Sequence, residues 1–163
     1  MVMRKKPFFS IVIPTYNRAP DLQFALFCIL RQRFRDFEVV ISDNCSTDDT
    51  QAVVRKLNNR KIRYFRARKT LGNALNIKRA IKYAKGKYIF LHSDDDFLPY
   101  PNSLQKIYKE IAKHAVGYIR LNYLSLSLDK KWIFTYKLSK PFIKDEYAPP
   151  FQENKRILSF ILD

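Results

Sequence analysis

Three consecutive carboxylates, Asp94-Asp95-Asp96, follow the apolar run Tyr88-Ile89-Phe90-Leu91 with only His92 and Ser93 between them. Adjacent carboxylates repel one another, so the triplet costs stability unless a cation or solvent compensates. Hard oxygen ligands of this kind suit Mg²⁺ or Mn²⁺, held through one or two carboxylates while water and substrate phosphates fill the remaining positions. A solvated acidic turn before the next helix has the same composition. The triplet's place at the end of a buried strand, in a chain otherwise strongly basic, favours the metal reading. His92 is within reach of such an ion, although a lone His is more often a packed side chain than a ligand.

Asp43 also closes an apolar run, in Ile41-Ser42-Asp43-Asn44-Cys45-Ser46-Thr47-Asp48. An Asp there can accept hydrogen bonds from a nucleobase or ribose, as the acidic residue of dinucleotide folds does; a turn-forming Asp is the alternative. Pro14-Thr15-Tyr16-Asn17 ends the first apolar run, where backbone groups and the Tyr16 ring can hold a base. Residues 55–87 contain thirteen Lys and Arg and no Asp or Glu. So complete a lack of acids points to an anion-attracting surface, with a diphosphate, acidic lipid headgroups or a nucleic-acid backbone as candidate anions.

These residues need a frame that brings them to one edge. Residues 8–13 are a short apolar, β-branched run suited to a strand buried on both faces. Leu22, Ala25, Leu26, Ile29 and Leu30 then follow the spacing of a helix with one buried stripe. Residues 38–42 read as a second strand, and Ser46 with Asp49 approximates a capping box opening a helix to about Leu57. Residues 62–67 read as a third strand. A third helix capped by Asn73 carries Ala74, Ile77, Ile81 and Ala84 on one face and stops at Gly86. Residues 88–91 form a fourth strand, and a fourth helix places Leu104, Ile107, Tyr108 and Ile111 inward. Four strand–helix alternations predict a doubly wound α/β domain with an open, mostly parallel sheet and helices on both faces. Ligands in such sheets lie beyond the carboxyl ends of the strands, where the Asp-rich and Asn-rich segments fall. After Ala115 the pattern changes: residues 116–128 and 132–138 read as two strands around Asp129-Lys130-Lys131, residues 140–150 as a loop, and residues 154–162 as a final helix.

Composition excludes several classes. The 163 residues carry 31 Lys and Arg against 15 Asp and Glu, a formal charge of +16, with 47% hydrophobic residues. That is a basic chain with apolar mass for a single core. No apolar run reaches the roughly 18 residues of a membrane span, which argues against an integral membrane or secreted protein. Cys28 and Cys45 are too few for a disulfide framework and have no zinc spacing. With three glycines, Gly72, Gly86 and Gly117, neither the dinucleotide glycine fingerprint nor a P-loop can be written. The first strand ends without the Asp nucleophile of haloacid-type phosphatases. The third lacks the phosphoacceptor Asp of receiver domains, having Arg68-Lys69-Thr70 instead.

Taken together the motifs resemble the family 2 glycosyltransferases, inverting enzymes with the GT-A fold. The stretch from Ser10 through Pro14-Thr15-Tyr16-Asn17-Arg18 is similar to their opening strand and nucleotide loop. Glu38-Val39-Val40-Ile41-Ser42-Asp43 and the loop after it resemble their second motif. Gly72-Asn73-Ala74-Leu75-Asn76, then Ala84-Lys85-Gly86-Lys87-Tyr88-Ile89, resemble the approach to the metal site, and Ser93-Asp94-Asp95-Asp96 with Pro99 the DXD-type metal motif itself. The match spans about residues 8–111 in order. Leu75 stands where many members carry an Arg, and His92 where many carry a first Asp, which shifts the ligand set toward Asp94 and Asp96.

The resemblance implies a UDP-sugar or dTDP-sugar donor contacted by Pro14, Thr15, Tyr16, Asn17, Asp43, Asn73, Asn76, Asp94 and Asp95. It also implies Mn²⁺ or Mg²⁺ on Asp94 and Asp96, and a glycan or lipid-linked acceptor. Members place a general-base carboxylate downstream; Asp129, Asp145, Glu146, Glu153 and Asp163 are available, none in a recognisable motif, so the catalytic base is unassigned. The expectation is one GT-A-like domain over residues 1–163, truncated or minimal on the acceptor side, with a homo-oligomer or second subunit completing that side. It is expected in the cytoplasm, with peripheral contact to the inner face of the cell membrane through its basic surface. The competing readings are a noncatalytic nucleotide-sugar binder and a basic module for RNA or membrane; for a chain with these motifs a nucleic-acid partner is not expected.

Overall fold

A strand that is apolar on both faces has to be covered on both, and the computed structural model shows how this chain does it. It describes residues 6–114, 119–121, 124–126, 133–135 and 156–159. Strand β1 (Phe9–Thr15) leads through helix α1 (Ala19–Leu30) to β2 (Phe37–Asp43), α2 (Thr50–Leu57), β3 (Ile62–Arg66), α3 (Asn73–Tyr83), β4 (Tyr88–Leu91) and α4 (Ser103–Lys113). Four short strands follow, β5 (Ile119–Arg120), β6 (Leu124–Leu126), β7 (Ile133–Thr135) and β8 (Arg156–Ser159). The main sheet has the order β3-β2-β1-β4-β8-β5 with its described pairs parallel, and β6 and β7 form a separate antiparallel pair. The doubly wound α/β fold and its short antiparallel addition are both present.

Side-chain alternation along the strands divides the core into two layers. Phe9, Ile11 and Ile13 of β1, with Val39 and Ile41 of β2 and Phe90 of β4, pack against Leu22, Leu26 and Ile29 of α1 and Leu104, Ile107 and Ile111 of α4. Val12, Val40 and Ile89 face the other way, onto Ala80 and Ala84 at α3. Each fully buried Leu, Ile or Phe contributes about 1.5–3 kcal/mol, so the first layer dominates. The second is polar at both ends. Near the carboxyl ends of the strands, Ser42 Oγ donates to Asn76 Oδ1 at 2.7 Å and Asn76 Nδ2 donates to the Ser42 carbonyl at 2.8 Å. At the opposite end Ser10 Oγ donates to Glu38 Oε1 at 2.6 Å, and Arg63 to Glu38 Oε2 at 3.0 Å.

From β1 to β3 the chain moves one way across the sheet, then returns past β2 and β1 to place β4 on the far side of β1. Right-handed crossovers require that a reversal of direction put its helix on the opposite face. Accordingly α3 lies over β1 and β2 on the face away from α1. The reversal leaves a crevice beyond the carboxyl ends of β1 and β4.

Four local expectations are corrected. Residues 154–162, expected as a helix, contain β8, whose Ile157 pairs with Ile89 of β4. A short apolar run has no periodicity that separates helix from strand, and the open edge of β4 decides for a strand. The single strand expected over residues 116–128 is two: β5 belongs to the main sheet and β6 pairs with β7. Helix α2 starts at Thr50, not after Ser46, because Ser46 Oγ accepts the Asn17 N–H at 2.9 Å while Asp48 Oδ1 accepts the Thr50 N–H at 3.1 Å. Of the face expected on α3, Ala84 is buried and Ile77 and Ile81 are half-buried, but Ala74 is exposed and the fully buried positions within the helix are Asn76 and Ala80; Asn73 is its first residue, preceded by Gly72 at φ +78°. The loop expected over residues 140–150 and the Asp129-Lys130-Lys131 turn lie outside the described residues.

Gly86 is where α3 returns to the sheet. A Cβ there would sit 2.5 Å from the Ser10 backbone nitrogen and 2.8 Å from the Phe9 backbone carbon, and the Gly86 N–H donates to Ser10 Oγ at 2.7 Å. Backbone cannot move aside as a flexible side chain can. Gly86→Ala should therefore lower the free energy of unfolding by about 1–3 kcal/mol, read from urea denaturation of the full chain; an unchanged midpoint would show that β1 and the α3–β4 turn separate easily.

Candidate functional site

Beyond the ends of β1 and β4 the crevice opens into a cavity of about 500 Å³. Pro14, Thr15 and Tyr16 come from the end of β1, Asn73 and Asn76 from the first turn of α3, and Asp94, Asp95 and Asp96 from the loop after β4. Eight of the residues expected at the site thus meet, across sequence separations of up to 82 positions (96 − 14). Arg18, Asn44, Ile77, Leu91, His92 and Ser93 complete the lining. Two expected residues, Asn17 and Asp43, do not line it.

Asn17 and its neighbours latch the β1–α1 loop to the β2–α2 loop. With φ at 52°, a left-handed conformation that Asn tolerates, Asn17 accepts the Thr47 N–H on Oδ1 at 2.7 Å and donates its own N–H to Ser46. The Asn44 N–H donates to the Thr15 carbonyl at 2.9 Å, and Asn44 Oδ1 accepts the Leu71 N–H at 2.7 Å. Helix α1 has its own side-chain acceptor from this second loop: Asp48 Oδ2 takes the Ala19 N–H at 2.9 Å, while Oδ1 takes the Thr50 hydroxyl at 2.6 Å. Two segments that share no local sequence signal are stitched into one rim.

Asp43 is completely buried. Its Oδ1 accepts the Ser46 N–H at 2.8 Å, its Oδ2 accepts the Tyr64 hydroxyl, and Arg66 Nε lies 3.6 Å away. Burial and then the bond to Asp43 push the Tyr64 hydroxyl well above its ordinary range. Asn76 is likewise engaged with Ser42, so at the cavity wall its amide ties α3 to β2.

The acidic loop is compensated by one guanidinium. Arg18 Nη1 lies 2.9 Å from Asp95 Oδ2 and its Nε 3.9 Å from Asp94 Oδ1, with Asp21 at 3.8 Å. Burial pushes the Asp94 carboxyl above its ordinary value, Asp95 adds to this, and the Thr15 hydroxyl and Arg18 oppose it. Burial and then Asp95 push Asp96 up as well. Asp96 Oδ2 is buried with no hydrogen-bond partner among the described residues. Such an oxygen carries a desolvation cost that a cation would remove. Burial drives His92 down to about 4, so its imidazole is neutral near pH 7; its Nδ1 bonds the Ser93 carbonyl at 2.7 Å and its ring stands edge-on to Phe90. Arg18 is the cavity side chain to which sequence reasoning gave no role of its own; its place at the end of the nucleotide-loop motif was its only signal.

The basic run does not form one surface. Arg55 and Lys56 are exposed on α2, on the α1 side of the sheet, whereas Lys78 and Lys82 are exposed on α3, on the other. Arg63, Arg66 and Arg79 are spent on the Tyr83, Ser46 and Asp43 carbonyls. Arg68 and Lys69 are exposed after β3 but do not line the cavity. All five candidate bases, Asp129, Asp145, Glu146, Glu153 and Asp163, lie outside the described residues.

Removing the Asp48 carboxylate tests the latch. Asp48→Ala should cost about 0.5–2 kcal/mol of stability, the usual range for a lost helix cap. Burial raises the Asp48 carboxyl, but bonds from Thr50 and Ala19 outweigh that and hold it below its ordinary 3.8. Its contribution is therefore full above pH 3.8 and fades as pH falls below it. Denaturation curves of wild type and Asp48→Asn should converge in acid, and a gap that persists undiminished at low pH would contradict the ionic cap.

Similarity to known proteins agrees with this geometry. The family model described as Glycosyl transferase family 2 matches residues 10–158. The chain is 30% identical over 133 residues to the Escherichia coli UDP-Glc:alpha-D-GlcNAc-diphosphoundecaprenol beta-1,3-glucosyltransferase WfaP, covering 81% of this chain and 51% of that protein. Among solved structures, TarS 1-349 from S. aureus in complex with UDP superposes with a TM-score of 0.64 at 27% identity, covering 69% of this chain and 34% of that one. The mannosyltransferase PcManGT from Pyrobaculum calidifontis, in complex with GDP-Man and Mn²⁺, gives 0.65 at 25%, covering 74% and 37%. The chain spans 31% and 51% of the lengths of two curated relatives it matches. With its motifs in order around one switch-point cavity and the family match running along most of its length, this chain belongs to glycosyl transferase family 2 and has the GT-A fold.

Proposed function

We propose that this chain binds a nucleoside-diphosphate sugar of the UDP or dTDP type and takes part in its transfer, with inversion, to a glycan or lipid-linked acceptor. The observation that carries this reading is the acidic loop at the switch point, where Asp94 and Asp96 are raised by burial and Asp96 Oδ2 lacks a partner among the described residues. The relatives support donor and acceptor class: one is named for UDP-Glc and a diphosphoundecaprenol acceptor, and one solved structure holds UDP.

Among the described residues no group of three or more His, Cys, Asp or Glu side chains is arranged to hold a metal ion. A Mg²⁺-type or Mn²⁺-type site does not need one, because one or two carboxylates with water and substrate phosphate suffice. The partnerless oxygen and raised carboxyls fit such an ion, and Asp94 and Asp96 would hold it. When bound, the ion supplies charge neutralisation at the departing diphosphate. The protein's own part is orientation. Tyr16, 45% exposed beside the cavity, offers a ring face for the base, and Asn73 at the start of α3 presents polar atoms toward the donor. Arg18 adds a cation that can turn from Asp95 to phosphate. Asp43 is assigned to base or ribose recognition; because it is fully buried behind Tyr64 and Arg66, that role requires those side chains to turn aside when the nucleotide enters. The acceptor-side base stays unassigned, and residues 1–163 are read as one donor-binding domain. The setting we propose is cytoplasmic, at the inner membrane face; among the described residues no helix is long and apolar enough to cross a membrane.

Calorimetry with UDP should show binding that needs Mn²⁺ or Mg²⁺, weakens with EDTA, and falls by at least about tenfold in Asp96→Asn, the loss of one charge-assisted contact. Equal affinity with and without metal would remove the ion from the reading. In the same titration Asp43→Ala should cost about 1–3 kcal/mol of nucleotide affinity, and an unchanged dissociation constant in a folded variant would make Asp43 a purely structural brace. Binding of a single-stranded RNA oligonucleotide in preference to UDP, at matched salt, would favour the noncatalytic basic module.

A further inference from the structure

Helix α1 carries two stripes. Ala19, Leu22, Ala25, Leu26 and Ile29 are buried, while Phe24 and Phe27 on the outer side are 53% and 52% exposed. A solvated helix face ordinarily presents charged and polar groups there. The apolar stripe continues off the helix. Phe97, which directly follows the acidic triplet, packs edge-on against Phe24 with ring centroids 5.4 Å apart. Tyr100, 58% exposed, is tied to the same helix because Gln32 Nε2 donates to its carbonyl at 2.9 Å. Two cations sit on these rings: Arg31 lies 4.9 Å from the Phe27 centroid and Lys106 5.6 Å from that of Tyr100. Neither is in an ion pair among the described residues.

We infer that this face docks the protein on a bilayer containing anionic lipid, with Phe24, Phe27 and Tyr100 entering the headgroup boundary and Arg31 and Lys106 meeting lipid phosphates. The inference rests on the lipid-linked acceptor proposed above. Exposed aromatics crowned by unpaired cations are the chemistry of an interfacial helix. A second copy of the chain would bring another +16 to the contact, and like charges oppose that pairing. Single-stranded nucleic acid stacks its bases on free ring faces, whereas Phe27 and Tyr100 each have a cation over one face. On the α3 side the stacked Phe65 and Tyr83, with Arg63 and Arg79 over them, are half-buried and do not present an exposed stripe. The location also suits a lipid-held acceptor, because Phe97 joins the patch to the cavity mouth and a bilayer resting on α1 therefore lies beside the cavity, within such an acceptor's reach.

The test is flotation of the full chain with vesicles of phosphatidylglycerol and phosphatidylcholine, and with phosphatidylcholine alone. Binding is expected only on the anionic vesicles. The Phe24→Ser/Phe27→Ser variant should lose at least about tenfold in partitioning. Lys78→Gln/Lys82→Gln, on the opposite face, should stay within about twofold because charges beyond a Debye length from the surface contribute little. UDP calorimetry on the phenylalanine variant, expected to match wild type, shows that it is folded. Vesicle docking that depends on Phe24 and Phe27 upholds the surface even where wild type fails to bind UDP, so the two readings fail separately. The inference is overturned if wild type does not float with anionic vesicles, if the phenylalanine variant floats as wild type does, if the α3 variant loses as much, or if the phenylalanines matter only for RNA.

Discussion

Everything at the candidate site depends on the reversal of the chain between β3 and β4. Parallel strands β1 and β4 hydrogen-bond side by side, yet the connections that follow and precede them run to different faces, so no helix can cover their carboxyl ends. That gap is a consequence of handedness, and the sequence spends its polar residues there. The opening is held by pairs that cross long stretches of chain: Asn17 to Thr47, Asp48 to Ala19, Asn44 to Leu71 and Asn76 to Ser42. A site held by side chains whose partners are themselves hydrogen-bonded does not have to be ordered by the ligand.

Charge is arranged against the grain of the composition. A chain of net +16 places three adjacent carboxylates at its cavity with the Arg18 guanidinium beside them. Burial moves two of those carboxyls above their ordinary value, a setting unfavourable to the charged form. That setting is intelligible when an incoming cation and phosphates relieve it. The basic residues meanwhile divide between both faces of the sheet and several become structural donors, Arg63 to Glu38 foremost. A cationic outside attracts anionic ligands generally.

Helix α1 connects the two themes. Its first turn, with Arg18 just before it, borders the cavity, and Gln32, two residues beyond its end, is 1% exposed and accepts the Leu104 N–H at 3.1 Å near the start of α4. The loop carrying the acidic triplet is thus held at both ends against α1: Arg18 at one, Gln32 at the other. Any force on the outer aromatic face of α1 acts on an element coupled directly to the cavity wall.

The strand–helix alternation, the four ligand-edge segments and the acidic triplet were legible from residues 8–111 because they follow from local periodicity, from turn chemistry at strand ends and from the like-charge cost of Asp94-Asp95-Asp96. Eight expected residues meet in the cavity for the same reason: in a parallel sheet, strand ends share an edge. What only the tertiary structure decided are pairings between distant segments. Nothing local shows that Ser46 serves Asn17 and not its own helix, that Asp43 is enclosed by Tyr64 and Arg66, or that Arg18 compensates carboxylates 76 and 77 positions away (94 − 18 and 95 − 18). Nor could the run containing Arg156–Ser159 be known as a strand, since a short apolar segment takes the conformation that an open sheet edge offers it. Periodicity encodes which face is buried; it does not encode which distant group waits there.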